Sequence, residues 1–396
     1  MNLREVPRLV WVLAAGRFVG SATSFMILFL TLYLTGPRDL SVPAAGVIAG
    51  EVGVGALVGY FTGGRWGDRR GHRRVVLSGS VASGLGTVAI PWLPVAVLAV
   101  WLPVVAYVSA AVSVSVGALS ALAVDRGDRR TSVAIGRAAS NAGFMVGPPL
   151  AALIVAHSYT ALFVVEGLMM LIVRWLVAPA MPREPARPTQ HTGQERHGLW
   201  RAVRADRSLT VLLPAIVLAD LVYRQLYTTV PLHLRDACEP VALYTAMIAI
   251  GSGLILLLEI PVAQRLRRLA SYPIIAAGYA LVGVGFALFG LPVSAASAIV
   301  AMVVLTAGEI LYKTTATAHV LDAAPDHLVG QYQGLYTGAA TSGTMLSGPV
   351  GGAMYAVAPA ALWPICGVTG LAAAAIVLAA GRFSLRSREG ALRGSP

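Results

Sequence analysis

The chain has 396 residues, of which 57% are hydrophobic and 12% charged, and its mean hydropathy is +0.73. Soluble domains are roughly 45–50% apolar and about 25% charged, so this composition excludes a soluble globular protein and leaves a polytopic membrane protein. The net charge of +12 would suit nucleic acid. The arginines, however, cluster between apolar runs, where they set topology, and no nucleic-acid partner is expected.

Taken in order, the chain opens on a short basic segment, 1–8. The apolar run that follows is longer than the usual signal-peptide core of about 7–15 residues, and is read as an uncleaved first span. Twelve runs suffice to cross a hydrocarbon core about 30 Å thick, which needs about 20 residues each. They cover 9–34, 42–63, 75–93, 96–124, 131–156, 160–180, 208–232, 242–263, 272–291, 294–318, 331–357 and 361–381. Backbone in lipid must satisfy its own hydrogen bonds, so the spans are helices. The expected fold is therefore an all-α integral membrane protein with twelve transmembrane helices in two six-helix bundles. The bundles are 1–180 and 208–396, joined by a cytoplasmic linker at 181–207. That linker is proline-rich and of mixed charge, and it reads as a tether. His191 and His197 within it are a weak metal pair against that reading. Cys238 and Cys366 lie in different segments and have no metal-ligand spacing.

Orientation follows from the basic residues. With the N-terminus inside, twenty-three of the 30 lysines and arginines fall on inner segments. Two, Arg38 and Arg235, fall outside, and five lie within spans. The positive-inside rule then places both termini in the cytoplasm and the basic loops against the anionic inner leaflet. A single lysine, Lys313, among so many arginines indicates a GC-rich bacterial genome.

Between spans two and three runs Gly64-Arg65-Trp66-Gly67-Asp68-Arg69-Arg70-Gly71-His72-Arg73-Arg74. Two spanning runs need an aqueous turn between them, and the glycines permit a tight one. A basic turn obeying the topology rule is the plain reading. The spacing of Gly64, Asp68, Arg69, Gly71, Arg73 and Arg74 resembles the loop signature of the major facilitator superfamily. That resemblance implies a conformational-switch role in which the aspartate helps lock one state.

The two halves repeat. Gly147-Pro148 in span five matches Gly348-Pro349 in span eleven, and Leu32-Tyr33-Leu34 matches Leu232-His233-Leu234. This suits two bundles related by an axis along the membrane normal. Proline inside a helix kinks it, and small residues let helices approach. Gly143, Gly147 and Pro148, with Gly348 and Pro349, form the expected helix-kink motif. It resembles the twelve-helix drug:proton antiporter branch, although Ala151 and Ala152 replace the usual final glycines. That branch also carries an arginine early in span four, and 104–107 contains none.

An ionisable residue at the bilayer centre costs about 2.5–3.5 kcal/mol on insertion scales, so intramembrane charge marks function. Asp220, Glu309 and Glu51 are the proton-coupling candidates, ranked in that order. Arg224, Lys313, Arg17 and Arg137 are their charge partners. Asp220/Arg224 and Glu309/Lys313 are spaced i,i+4, which puts each pair on one helix face. Glu166 and Arg174 in span six, and Glu259 in span eight, read as structural. Tyr107, Ser113, Asn141, Tyr223, Gln225, Tyr227, Tyr312 and Tyr336 are candidates to line a substrate cavity, where aromatics stack on a ligand or else pack helices.

The resemblance implies a monomeric, proton-coupled secondary transporter in the bacterial cytoplasmic membrane, with no cofactor. Its partners are a small-molecule substrate, protons and the lipid bilayer. An efflux antiporter for a partly apolar compound is the first reading and an uptake symporter the second. A membrane enzyme would need a nucleophile–base or metal grouping, and none has the right spacing. A sensor would need a soluble output domain. No Walker-type glycine loop is present, so ATP is not the energy source.

Overall fold

Residues 3–182, 207–292 and 294–393 are described by the structure, a computed structural model; most of the expected linker, including His191 and His197, lies outside them. The described residues are helical, with no strand. Span one is Arg8–Ala22 and Phe25–Thr35, and spans two to six are Val42–Arg70, His72–Ala89, Val95–Leu122, Arg129–Val155 and Tyr159–Val177. Span seven is Arg207–Tyr223, Gln225–Thr228 and Val230–Asp236. Spans eight to twelve are Val241–Arg265, Ser271–Ala287, Ala295–Ala323, Val329–Val357 and Pro359–Arg393. Among the described residues, ten helical stretches are by themselves long and apolar enough to cross a membrane. The other two spans are the first, broken into segments of 15 and 11 residues, and the eleventh, which is uncharged but rich in glycine, serine and threonine.

Span two runs further than its apolar stretch predicts. Its 29 residues reach Arg70, about 43 Å at 1.5 Å per residue, so its arginine-bearing end extends beyond a ~30 Å hydrocarbon core. The expected aqueous loop is thus mostly helix, and the turn is Gly71 alone, at φ 91°. Only glycine adopts that backbone without strain. Arg69 and Arg70 in the last turn complement the helix dipole.

Two spans are interrupted, and each break is repaired by side chains. In span one, Thr23 Oγ1 and Ser24 Oγ donate back to Val19 O (2.9 Å) and Gly20 O (2.6 Å). The second segment is capped from span six: Met26 N–H donates to Glu166 Oε2 at 2.7 Å, and Glu166 is 3% exposed. In span seven the helix breaks at Arg224, and Gln225 fills the gap. Its Nε2 donates to Leu221 O (3.2 Å) and Ser347 O (3.1 Å), and its Oε1 accepts from Thr228 and Thr229 at 3.0 Å each. Arg174 is likewise structural, donating from Nε to Leu77 O at 3.1 Å.

The chain divides into two compact units, Met1–Gln190 with Leu321–Gly338, and His191–Val320 with Ala339–Pro396. In the first, one core gathers Phe25, Leu34, Ile90, Leu102, Leu162 and Phe163, and a smaller one gathers Leu13, Val76, Leu119 and Val177. In the second, Trp363, Tyr279, Tyr312 and Phe286 are fully buried.

The repeat is visible in packing as well as in sequence. Val42 and Val241, His72 and Ser271, Val95 and Ala295, Arg129 and Val329, and Tyr159 and Pro359 begin matched spans, always 199 or 200 residues apart. Tyr33 meets the ring of Phe163 at 4.7 Å, and His233 meets that of Trp363 at 4.6 Å. Gly84 abuts Gly167 between spans three and six, as Gly283 abuts Gly367 between spans nine and twelve.

Replacing Glu166 with leucine removes the acceptor for a break that lipid cannot solvate, at about 1–3 kcal/mol. Glu166→Leu is therefore expected to lower the melting temperature of purified protein by several degrees, while Glu166→Gln keeps most of the stability. Equal melting of Glu166→Leu and the parent chain would remove the capping role.

Candidate functional site

The first candidate site lies at the arginine-rich end of span two. Asp68 points its carboxylate at the start of span eleven: Oδ1 accepts from Gly330 N–H at 2.8 Å and Oδ2 from Gln331 N–H at 2.9 Å. These are the second and third residues of that helix, whose first N–H groups have no partner of their own. A carboxylate there is favoured both by the hydrogen bonds and by the helix dipole. His72 Nε2 also contacts Asp68 Oδ1, at 3.2 Å, and His72 is 4% exposed. Gly64 makes the approach possible, because a Cβ there would strike the Gly330 carbonyl. Gly334 and Gly338, farther along span eleven, meet Tyr60 and Phe61 of span two in the same way. Arg69 and Arg74 are exposed, and Arg73 keeps its Nε buried without a hydrogen-bond partner.

Beside it is a cluster that sequence reading counted only as loop charge. Arg129 is 3% exposed and donates to two carbonyls near helix C-termini, Ala121 O of span four at 3.2 Å and Leu321 O of span ten. Asp322 and Asp326 stand 3.8 Å from its guanidinium. Arg126 adds bonds to Ala324 O (3.2 Å) and Asp326 (3.3 Å). Spacing alone offers no sign of this, since the partners are some 190 residues away in sequence.

The second candidate site is inside the second unit. Glu309 is 5% exposed, and each of its oxygens is engaged: Lys313 Nζ donates to Oε1 at 3.0 Å and Tyr223 OH to Oε2 at 2.5 Å. Lys313 Nζ also lies 3.6 Å from the Tyr223 ring centroid, a cation–π contact. Carboxylate, ammonium and phenol, three proton-exchanging groups, thus meet in the membrane. The i,i+4 spacing at 309 and 313 does bring that pair together. Behind it, Thr314 donates to Glu259, which is fully buried.

The other pair behaves differently. Asp220 is 5% exposed, and a Cβ on Gly343 would lie 3.2 Å from its own. Arg224 keeps the helical bond from its N–H to Asp220 O at 3.0 Å, but its guanidinium turns elsewhere. Nε donates to Thr344 Oγ1 at 3.0 Å, and the group lies 5.5 Å from the Tyr227 ring.

Arg17 packs against Gly136 of span five and buries an unpartnered Nε. Arg137 is half-buried on span five, and its carbonyl accepts from Asn141 Nδ2 at 2.9 Å. Glu51 and Ser113 are exposed. Tyr312 is fully buried against Tyr279 at 4.8 Å, and Gln225 spends its amide on the helix break. Tyr336 is 8% exposed, whereas Tyr227 is 47% exposed. Tyr107 lies beside Thr62, 3.0 Å from its hydroxyl. Gly143 and Gly147 let span one approach at Phe18 and Ala22, while Gly348 meets open space. Spans five and eleven continue as helix through Pro148 and Pro349.

The sequence matches the Major Facilitator Superfamily over residues 13–349, and the chain belongs to that family of transporters. Two relatives in Bacillus subtilis strain 168 are the uncharacterized MFS-type transporters YttB and YqjV. YttB is 24% identical over 356 residues, 88% of this chain and 89% of its own. YqjV is 25% identical over 346 residues, 84% and 82% respectively. Among solved structures, the human organic anion transporter MFSD10 (TETRAN) superposes with TM-score 0.79 at 14% identity, covering 93% of this chain and 99% of that one. The transporter FucP in its outward conformation gives 0.71 at 13%, covering 94% and 98%.

In Asp68→Asn, one backbone N–H faces an amide NH₂ instead of an oxygen, a loss of about 1.5–3 kcal/mol for a charged acceptor. Transport in proteoliposomes is expected to fall at least about tenfold, with membrane insertion unchanged. Transport at the parent rate would reduce the Asp68 bonds to local packing.

Proposed function

We propose that the protein is a proton-coupled efflux antiporter of a small, partly apolar compound, working by alternating access as a monomer in the bacterial cytoplasmic membrane. The observation that carries this reading is the pair of buried intramembrane carboxylates, Asp220 and Glu309. Such residues are default proton-relay candidates. A proton carrier must exist in both protonation states during the cycle. Loading Glu309 requires displacing Lys313 or Tyr223, since both oxygens are engaged. The Glu309/Lys313 pair can neutralise itself by proton transfer, since a buried lysine gives up its proton and an arginine does not. Asp220 is accordingly the primary proton site, with Glu309 second and Glu51 third. Asp68 is the latch whose making and breaking accompanies the change of state.

Export is supported by the short segments resembling the drug:proton antiporter branch. These are Gly143 to Pro148, Thr306 to Glu309, Tyr223-Arg224-Gln225 and Gly330 to Gly334. The second reading, proton-coupled uptake, is favoured by the absence of an arginine at 104–107. The fold is shared with a protein described as the E. coli fucose:proton symporter FucP, at TM-score 0.73 and 12% identity. One proton moving through 100 mV supplies about 2.3 kcal/mol. That sustains roughly a fiftyfold gradient of substrate.

Everted vesicles are expected to accumulate a transported compound when acidified inside, and to lose that uptake with an uncoupler. Asp220→Asn should abolish accumulation while retaining gradient-free exchange. If Asp220→Asn still concentrates the compound and Glu309→Gln does not, the proton site moves to span ten. Uptake driven by sodium or ATP instead would refute proton coupling.

A further inference from the structure

At the arginine-rich end of the first unit, spans two, three and four enclose a cavity of about 360 Å³ that the transport reading does not use. Trp66 and Arg70 line it from span two, Arg74 and Ser78 from span three, and Tyr107 and Val108 from span four. Trp66, Arg70, Arg74 and Ser78 are exposed, so it opens on the outer surface of the helices. Among the described residues neither arginine is ion-paired. The Arg70 guanidinium rests 5.0 Å from the Trp66 ring. The acid nearest in sequence, Asp68, is committed to Gly330, Gln331 and His72. Two unpaired guanidiniums over one cavity ask for a phosphate-type anion, which they can grip through several N–H donors. The floor, formed by Val75, Gly79, Val108 and Ala111, is apolar. Trp66 marks the level where an aromatic ring prefers to lie, between headgroups and acyl chains.

We propose that this cavity binds the phosphodiester headgroup of an anionic glycerophospholipid. Arg70 and Arg74 hold the phosphate, Ser78 and Tyr107 supply hydroxyl donors, and an acyl chain follows the apolar floor. A free inorganic phosphate would satisfy the arginines equally but would have no use for that floor. The arginine bias assigns this end to the cytoplasmic leaflet, where such lipids supply the negative surface potential. Trp66 and Arg70 lie two residues either side of Asp68, so the cavity and the latch share the same end of span two.

The test is native mass spectrometry of the full chain equilibrated with equal amounts of phosphatidylglycerol and phosphatidylcholine. The parent protein is expected to retain phosphatidylglycerol with a preference of about tenfold, which two arginines at a membrane surface can supply. Arg70→Gln/Arg74→Gln should lose the preference. Ser78→Phe, which fills the cavity and keeps both arginines, should lose it too. Arg4→Gln/Arg8→Gln, which removes the same charge elsewhere, should keep it. Inorganic phosphate in excess should leave the bound lipid in place. The proposal is overturned if the cavity variants retain the preference or if the distant pair loses it. Displacement of the lipid by inorganic phosphate alone would also overturn it, in favour of a free-anion site.

Discussion

Hydrocarbon offers no hydrogen bonds, so the backbone groups that enter the membrane must find their partners within the protein. Much of what is irregular in this structure follows from that constraint. Span one can break at Thr23 and Ser24 only because their hydroxyls turn back on the preceding turn and Glu166 takes the freed Met26 N–H. Span seven can break at Arg224 only because Gln225 supplies four bonds at the gap. A side chain that repairs a helix is fixed in place. Glu166 and Gln225 are therefore poor candidates for a moving part.

The same constraint sorts the functional groups. Glu309 has both carboxylate oxygens engaged, one by Lys313 and one by Tyr223. Asp68, at the arginine-rich end of span two, caps a helix with two backbone bonds. As the proposed latch, one carboxylate and two fixed N–H groups would suit a two-state element. It is strong when formed, and in water both sides can be solvated when it opens.

The spans, their number and the register of the repeat were legible in the sequence because they depend on run length and spacing. The Glu309/Lys313 pair was legible for the same reason, being one helical turn apart. Contacts between distant segments were not. Asp68 was singled out, but its partners are backbone groups at 330 and 331, which leave no mark in residue type. Arg129 looked like one more loop charge, and only the fold brings Leu321 and Asp322 to it. Spacing puts Asp220 and Arg224 one turn apart, but it gives no sign that the guanidinium bonds Thr344 of span eleven. Span two outran its apolar stretch for a simpler reason. Arginines are good helix formers, so the helix continues beyond the hydrocarbon until Gly71 stops it.

The central claim is that compound movement and proton movement are one process. It is tested most directly by following an acridine dye that reports the pH gradient in respiring everted vesicles containing the protein. Compounds are added one at a time from a susceptibility panel. The account predicts that a transported compound restores the dye's fluorescence at once, as protons leave in exchange, and that vesicles lacking the protein show no response. A compound that enters these vesicles while the dye signal stays quenched would contradict it.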